Sequence, residues 1–225
     1  MSPLETKRED AIRVKTAEFY GWLMAIVGVQ LATFFFTADR YNWLLDSFWV
    51  ILGVPALIYT RRFFPLSGLL YRLLALHALV LLAGGFWTYE EMPIGRFLQW
   101  LLSTRRNNYD RFGHFMQGLV PAILFRELFL RLAKIPRGGW LVYFVLSSCL
   151  AFSAAFELLE WAAAVAHHAD GGEFLGHQGD IWDAQWDMLW CVIGSITSLV
   201  LFSYWHDRSL AAIGAISSDD TVSAS

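Results

Sequence analysis

The sequence predicts an all-α protein, a polytopic transmembrane helix bundle of about six spans. Hydrophobic residues make up 56% of the 225-residue chain and charged residues only 16%, whereas a soluble domain carries roughly 25% charge. The mean hydropathy is +0.44, and the apolar residues fall into runs of about 20 residues, the length that crosses a bilayer. The charged residues form no basic stripe, which argues against nucleic acid as a partner. The predicted partner is therefore the lipid bilayer.

Six apolar segments are long enough to be spans. They run over residues 17–37, 43–60, 66–88, 111–133, 140–166 and 184–205. The second segment is short and contains Pro55, which predicts a kink. Together the segments form a predicted single transmembrane helical domain over residues 17–207. It lies between a cytoplasmic N-terminal segment, 1–16, and a disordered C-terminal tail, 208–225.

The connection over residues 89–110 is predicted to contain a short amphipathic helix. Glu90, Glu91 and Pro93 are typical of a helix start, where proline is tolerated in the first turn. The stretch IGRFLQWLLS that follows mixes apolar and polar residues and contains Trp100. A helix of this kind can lie flat in the outer membrane interface, where tryptophan is enriched.

The distribution of lysine and arginine predicts the orientation of the chain. If the N-terminus is inside, twelve of the 17 basic residues fall in inner segments and five in outer ones. Basic residues favour the cytoplasmic side, so both termini are predicted to be cytoplasmic. The outer arginines that oppose this bias lie in or next to the 89–110 connection: Arg96, Arg105, Arg106 and Arg111.

Ionisable residues at the outer ends of the last three segments are the main functional signal. They are Asp110 and His114 in segment four, Glu157 and Glu160 in segment five, and Asp180, Asp183 and Asp187 at segment six. Spacings of three or four residues place such side chains on one helix face. A rise of about 1.5 Å per residue brings the three faces to the same depth. Ionisable groups at membrane depth usually face a bundle interior or a cavity, so we expect them to form one site.

The residue types in this predicted site suit a divalent metal ion. One imidazole among several carboxylates matches Zn²⁺, Mn²⁺ or Mg²⁺, and a metal could both neutralise crowded carboxylates and activate a water molecule. The predicted metal ligands are His114, Glu157, Glu160, Asp183 and Asp187. The predicted catalytic residues, as general acids or bases, are Asp110, His114, Glu160 and Asp187. The predicted substrate-binding residues, for an anion such as a phosphate, are Arg105, Arg106 and Arg111.

Several of these residues have a structural alternative. Asp110 directly precedes a span and could cap its helix, and Asp180 or Asp183 could cap the last one. His114 could hydrogen-bond a backbone carbonyl group. Glu160 lies within FSAAFELLEWAAA, an apolar context that favours a polar site over a solvated loop.

Other polar residues receive structural interpretations. Arg126 and Arg131 are read as arginines that snorkel to the inner interface, and Glu127 forms an i,i+4 pair with Arg131. An inner-face active site at these residues is the alternative. His77 is expected to be a core residue. The loop histidines, expected to be solvated, are His167, His168 and His177.

A family resemblance is carried by three blocks of the sequence, YDRFGHFMQGLVPAILFRELFLR, FELLEWAAA and GDIWDAQWDMLWCVIGS. They resemble the YjdF-like family of uncharacterised bacterial inner-membrane proteins, from about Tyr20 to Trp205. The resemblance implies a multi-pass protein of the bacterial inner membrane. The chain is more weakly similar to VanZ-like membrane proteins, in which polar residues recur on three helices. The matching positions are Asp110 with His114, Glu157 or Glu160, and Asp187 with Gly194.

The sequence leaves three functions open. The first is metal-dependent hydrolysis or transfer on a lipid or cell-envelope substrate, although no HExxH or GxSxG motif identifies an enzyme class. The second is a transporter, or an ion or proton pathway, that uses the same carboxylates. It ranks lower because the chain has no visible repeat and no series of acids through the membrane. The third is a structural subunit whose polar residues connect the helices.

Overall fold

A computed structural model describes residues 3–166 and 178–215 of the chain, apart from the side chains of residues 3–15, 102 and 166. Within these ranges the chain is helical and contains no strand. The helices are α1 (Pro3–Phe36), α2 (Arg40–Asp46), α3 (Phe48–Thr60), α4 (Gly68–Trp87), α5 (Pro93–Leu102), α6 (Tyr109–Arg131), α7 (Gly139–Ala166) and α8 (Asp183–Ala211). The predicted all-α helix bundle is confirmed.

The chain divides into two compact units, Met1–Phe86 and Trp87–Ser225, where the sequence predicts one domain over residues 17–207. All predicted site residues belong to the second unit. Helix α8 continues to Ala211, which is beyond the predicted start of the disordered tail at residue 208. Residues 216–225 of that tail lie outside the described residues.

The first unit has a core of apolar side chains from α1 to α4. Ile26, Trp43, Val50, Ala75 and Leu82 are buried together. The Trp43 indole Nε1 donates a hydrogen bond of 3.0 Å to a threonine hydroxyl on α1, which satisfies its polar group inside this core. His77 of α4 is also buried, which agrees with its prediction as a core residue.

The bend predicted at Pro55 lies instead at Ser47. Helices α2 and α3 meet there at an angle of 50°, whereas α3 continues through Pro55. The Ser47 carbonyl oxygen accepts hydrogen bonds of 2.9 Å from the amides of both Val50 and Ile51. The helical hydrogen bonds of α3 therefore begin at the bend itself, and the two helices form one broken span or a re-entrant segment.

The number of spans agrees roughly with the prediction of six. Among the described residues, four helices are long and apolar enough to cross a membrane, and the bent α2–α3 pair is a candidate for a fifth span. Helix α6, with 23 residues, is about 35 Å long and so has the length of a span. It is less apolar because it carries ionisable side chains, and these are largely buried where α6 packs against α7 and α8.

Helix α5 is the short amphipathic helix predicted in the 89–110 connection. It begins at Pro93, as predicted, and ends before Ser103, whose backbone is left-handed with φ 52°. Its apolar residues Phe97 and Trp100 are exposed. The predicted interfacial helix therefore presents an apolar face that is free to contact lipid.

Helices α6 and α8 pack against each other more extensively than any other pair, and two glycines allow this. A Cβ atom on Gly118 would overlap the carbonyl oxygen of Cys191, and a Cβ on Gly194 would overlap the carbonyl oxygen of Phe115. The two backbones therefore approach more closely than side chains would permit. This contact brings together the polar residues near the first turns of both helices.

Candidate functional site

The site begins where α6 and α8 begin, and neither Asp110 nor Asp183 is the N-cap residue of its helix. Just before α8, the Asp180 carboxylate accepts a hydrogen bond of 3.0 Å from the Trp182 amide. Helix α6 starts at Tyr109 with Asn108 at its N-cap, so Asp110 lies inside the first turn. Helix α8 starts at Asp183, and Trp182 is its N-cap residue. The cap interpretations of Asp110 and Asp183 are therefore wrong, and both carboxylates are available for tertiary contacts.

His114 occupies the centre of the site and is 4% exposed. Its Nε2 atom lies 3.3 Å from Glu157 Oε1 and 3.7 Å from Asp110 Oδ1. Its Nδ1 atom lies 3.4 Å from the hydroxyl oxygen of Ser153, which is fully buried. If Nδ1 carries the proton and donates a hydrogen bond to the Ser153 hydroxyl oxygen, Nε2 is unprotonated. Its lone pair then faces the carboxylate oxygens and can bind a metal ion.

Asp187 completes a group that could hold a metal ion. Asp110, His114 and Asp187 each offer one ligand atom, and these atoms lie within 4.8 Å of one another. Ligands at about 2.1 Å from an ion in a tetrahedral site are about 3.4 Å apart, so binding requires the most widely spaced side chains to move inward by up to about 0.7 Å each. We call Asp110, His114, Glu157 and Asp187 the His114 cluster.

Two oxygens of the His114 cluster are buried without a hydrogen-bond partner. They are Asp187 Oδ1 and Glu157 Oε1, and Asp187 is only 2% exposed. Buried polar atoms normally have a partner in the protein or in ordered water. These two oxygens are therefore the atoms of the site that most require a further ligand, such as a cation or a water molecule.

Arg106 offsets part of the negative charge. It is 6% exposed, donates a hydrogen bond of 3.1 Å to Asp110 and another to Asp183, and lies 3.9 Å from Asp180. Burial acts to lower the pKa of Arg106, but its hydrogen bond to Asp183 and the nearby carboxylates outweigh burial, so this pKa is raised above its ordinary value. Arg106 therefore stays a cation that is committed to the acidic side chains.

Negative charge still exceeds positive charge in this region. Arg111 donates a hydrogen bond of 2.8 Å to Asp180. The region thus contains two arginines, Arg106 and Arg111, and five carboxylates, those of Asp110, Glu157, Asp180, Asp183 and Asp187. Carboxylates that crowd together away from water cannot all be ionised unless cations or shared protons compensate them. The region therefore favours a bound cation or proton.

The structure separates the predicted site residues into groups. It brings His114, Glu157 and Asp187 together with Asp110, and it pairs Asp183 with Arg106. Glu160 is half-buried on α7, outside the group of potential metal ligands, and Arg105 is exposed. Arg106 and Arg111 bind carboxylates of the protein itself, so they do not form an open site for an anionic substrate in this structure.

Sequence reasoning missed several residues that position the site. Ser153 is an ordinary serine in an apolar run, and only its place behind His114 distinguishes it. Gln178 accepts a hydrogen bond of 2.8 Å from the amide of Asn107 and donates one of 3.2 Å to its carbonyl oxygen. These bonds connect the segment before α8 to the segment before α6.

The loop histidines His167, His168 and His177 lie outside the described residues.

A second buried polar cluster lies at the opposite ends of α6 and α8. Arg126 donates two hydrogen bonds, of 2.9 and 3.0 Å, to Asp207. His206 Nε2 lies 3.0 Å from Glu127 Oε2, and Arg131 donates a bond of 2.5 Å to Glu127. Arg126 is only 4% exposed, so the interpretation of this residue as a snorkelling arginine is wrong. The predicted pair of Glu127 and Arg131 is confirmed.

This second group, which also includes Arg137, is called the Arg126 cluster. Its sequence signal was the adjacent His206 and Asp207 at the end of an apolar span. The C-terminal end of α6 can reach these two residues only if α6 and α8 are parallel neighbours. The cluster shows that α6 and α8 are joined by ionisable side chains at both ends.

Comparisons with known proteins agree with this architecture. Residues 19–208 match the model of a family described as predicted membrane protein, DUF2238. The chain is 41% identical over 178 residues to the inner membrane protein YjdF of Escherichia coli strain K12, covering 79% of this chain and 85% of that protein. No solved structure matches. The resemblance to the YjdF-like family is thereby confirmed.

Proposed function

The chain belongs to the DUF2238 family of predicted membrane proteins, and we propose that it is a multi-pass inner-membrane protein whose His114 cluster binds a divalent metal ion. The bound ion supports hydrolysis or group transfer on a lipid or cell-envelope substrate. The observation that carries the proposal is Asp187 Oδ1, a buried carboxylate oxygen without a hydrogen-bond partner among the described residues. A divalent cation would both coordinate this oxygen and offset the excess of carboxylates.

The ligand set favours Zn²⁺, Mn²⁺ or Mg²⁺. One imidazole nitrogen and carboxylate oxygens match these ions, whereas the absence of a thiolate at the His114 cluster disfavours the softer copper(I). The buried Ser153 hydroxyl would hold the His114 ring with Nε2 toward the ion, in the way that outer-shell hydrogen bonds orient metal-binding histidines. Glu157 would be either a fourth ligand or a general base for a metal-bound water.

The position of the His114 cluster supports the class of substrate. Asp110 lies in the first turn of α6, and Asp187 lies one turn after Asp183, the first residue of α8. The ends of membrane helices are close to the lipid headgroups. A lipid headgroup or an envelope intermediate with a lipid tail could reach this depth from within the membrane. The sequence-based orientation places this end of the bundle on the outer face.

A second candidate function is an ion or proton pathway, and one observation favours it. Gln117 Oε1 and Ser198 Oγ are buried without a hydrogen-bond partner in the described structure, and each lies on its helix between the His114 cluster and the Arg126 cluster. Polar atoms along α6 and α8 are what a pathway would need. Reconstitution in liposomes that contain a pH-sensitive dye would reveal proton movement, which the metal-enzyme proposal does not require.

Metal analysis of the purified full-length protein tests the proposal. We expect about one equivalent of Zn²⁺ or Mn²⁺ per chain after incubation and desalting, and much less in His114→Ala and Asp187→Asn. Glu160→Gln is the matched control, because it removes a carboxylate from the same region that lies outside the group of ligands. Melting curves monitored by circular dichroism would establish that each variant is folded.

Two results would contradict the metal site. One is a wild-type protein that retains no metal after incubation with Zn²⁺, Mn²⁺ or Mg²⁺, which would leave the cluster as a structural connection between helices. The other is a folded Asp187→Asn variant that binds metal as well as the wild type. The catalytic part is tested separately by mass spectrometry of a bacterial polar lipid extract, in which metal-dependent loss of a lipid should require His114.

A further inference from the structure

A groove runs between α7 and α8 toward the Arg126 cluster. Its volume is about 540 Å³. The walls consist mainly of aliphatic side chains, Leu141, Val142 and Leu146 from α7 and Ile196, Leu199 and Val200 from α8. Several of them are exposed, with Val200 at 74%. The groove is therefore open and apolar, a surface suited to a hydrocarbon chain.

The end of the groove near the α6–α7 connection is polar and carries positive charge. Arg126, Arg137 and Asp207 line it, and Arg137 donates hydrogen bonds of 3.2 and 3.1 Å to the two oxygens of Asp207. The Arg126 cluster contains three arginines and only two carboxylates. With His206 neutral, these five side chains carry a formal net charge of +1.

Arg137 is the cation of this cluster that a ligand can reach. Its side chain is 28% exposed, whereas Arg126 and Arg131 are 5% and 13% exposed. It precedes α7, which begins at Gly139, and so lies at the level of a helix end. Its Nε and Nη2 atoms donate to Asp207, so the Nη1 donors are the part of its guanidinium that can turn to a phosphate.

The length of the groove matches one leaflet of a membrane. Its lining residues on α8 extend from Ile196 to Asp207, which corresponds to about 16 Å along a helix. The hydrocarbon core of a bilayer is about 30 Å thick, so one leaflet contributes about half of that. The charged end and the apolar walls are thus spaced like the headgroup and the acyl chain of a single lipid.

We propose that this groove binds one anionic phospholipid, with its phosphate against the Arg137 guanidinium and one acyl chain between α7 and α8. Charge complementarity selects an anionic headgroup, because the Arg126 cluster has an excess of positive charge. Basic pockets at the ends of membrane helices are suited to such headgroups. The site is separate from the His114 cluster and does not depend on a bound metal.

Native mass spectrometry of the delipidated full-length protein in detergent tests this site. The protein is titrated with phosphatidylglycerol, with phosphatidylcholine and with inorganic phosphate. We expect one phosphatidylglycerol to bind in preference to phosphatidylcholine. Arg137→Gln should weaken this binding about fivefold, the factor that corresponds to roughly 1 kcal/mol for one basic residue near an anionic lipid.

Two further variants separate the site from other surfaces. Arg96→Gln is the matched control, because Arg96 is also exposed and paired with one acid but lies on α5, and it should leave lipid binding unchanged. Ser203→Phe fills the groove without changing its charge and should reduce binding of the same lipid.

Three outcomes would overturn the proposal. Equal binding of phosphatidylcholine would show that the groove accepts any acyl chain. Displacement of the lipid by inorganic phosphate at equal concentration would show that the cluster recognises free phosphate instead. Unchanged lipid binding in both Arg137→Gln and Ser203→Phe would show that the anionic lipid binds elsewhere on the protein.

Discussion

Replacement of Gly118 by alanine should both destabilise the second unit and disable the His114 cluster. A Cβ at this position overlaps the backbone carbonyl oxygen of Cys191, well inside the roughly 3.5–4.0 Å at which non-bonded heavy atoms attract each other. A carbonyl group within a helix cannot rotate away as a side chain can. Helices α6 and α8 must therefore move apart.

The expected cost follows from two opposing effects. Overpacking of a well-packed interior costs about 1–3 kcal/mol, and the rigid backbone at this contact argues for the upper end. Alanine gains about 1 kcal/mol over glycine in helix propensity. The net loss should be about 2 kcal/mol, which corresponds to a melting temperature lower by roughly 4–8 °C for a chain of this size.

The matched control is Gly28→Ala, since a Cβ on Gly28 of α1 would meet no atom within 4 Å. This variant keeps the gain in propensity without the overlap and should be at least as stable as the wild type. The assays are thermal unfolding in detergent and metal content. Because the ligand atoms of Asp110, His114 and Asp187 are already up to 4.8 Å apart, separation of the helices should also remove the metal. A Gly118→Ala protein as stable and as metal-rich as Gly28→Ala would refute this reasoning.

Two more substitutions test individual contacts. Asp207→Asn should destabilise the protein by about 3–5 kcal/mol, because it leaves buried Arg126 without its charged partner. The control Glu91→Gln breaks an exposed ion pair with Arg96, whose two side chains are 56% and 63% exposed, and should change stability by less than about 1 kcal/mol. Equal melting temperatures of the two variants would contradict the expected difference. Ser153→Ala should lower metal affinity about 10–100-fold without unfolding the protein, because it removes the hydroxyl that orients His114, and competition with a chelator would measure this. An unchanged metal affinity would mean that Ser153 does not orient the ring.

The sequence was sufficient to predict the helical class, the roughly six spans and the amphipathic α5, because each depends on local composition and periodicity. It also placed the His114 cluster at one end of the last three helices, since chain direction and helix rise determine depth. The bend was predicted at Pro55 and lies at Ser47. The sequence shows that Pro55 lacks a backbone N–H donor, but it does not show the packing that redirects the chain.

The partners of each ionisable side chain were decided only by the tertiary structure. Glu157 and Glu160 have similar sequence contexts, yet Glu157 approaches His114 and Glu160 lies outside that group, because the rotation of α7 about its axis is set by packing against α6 and α8. Arg106 was expected to bind a substrate anion, but the meeting of two helix starts surrounds it with acids of the chain. The close approach at Gly118 and Gly194 determines which of these side chains come into contact, because it sets the distance between α6 and α8. This distance depends on two segments that are far apart in the sequence, so neither segment specifies it alone.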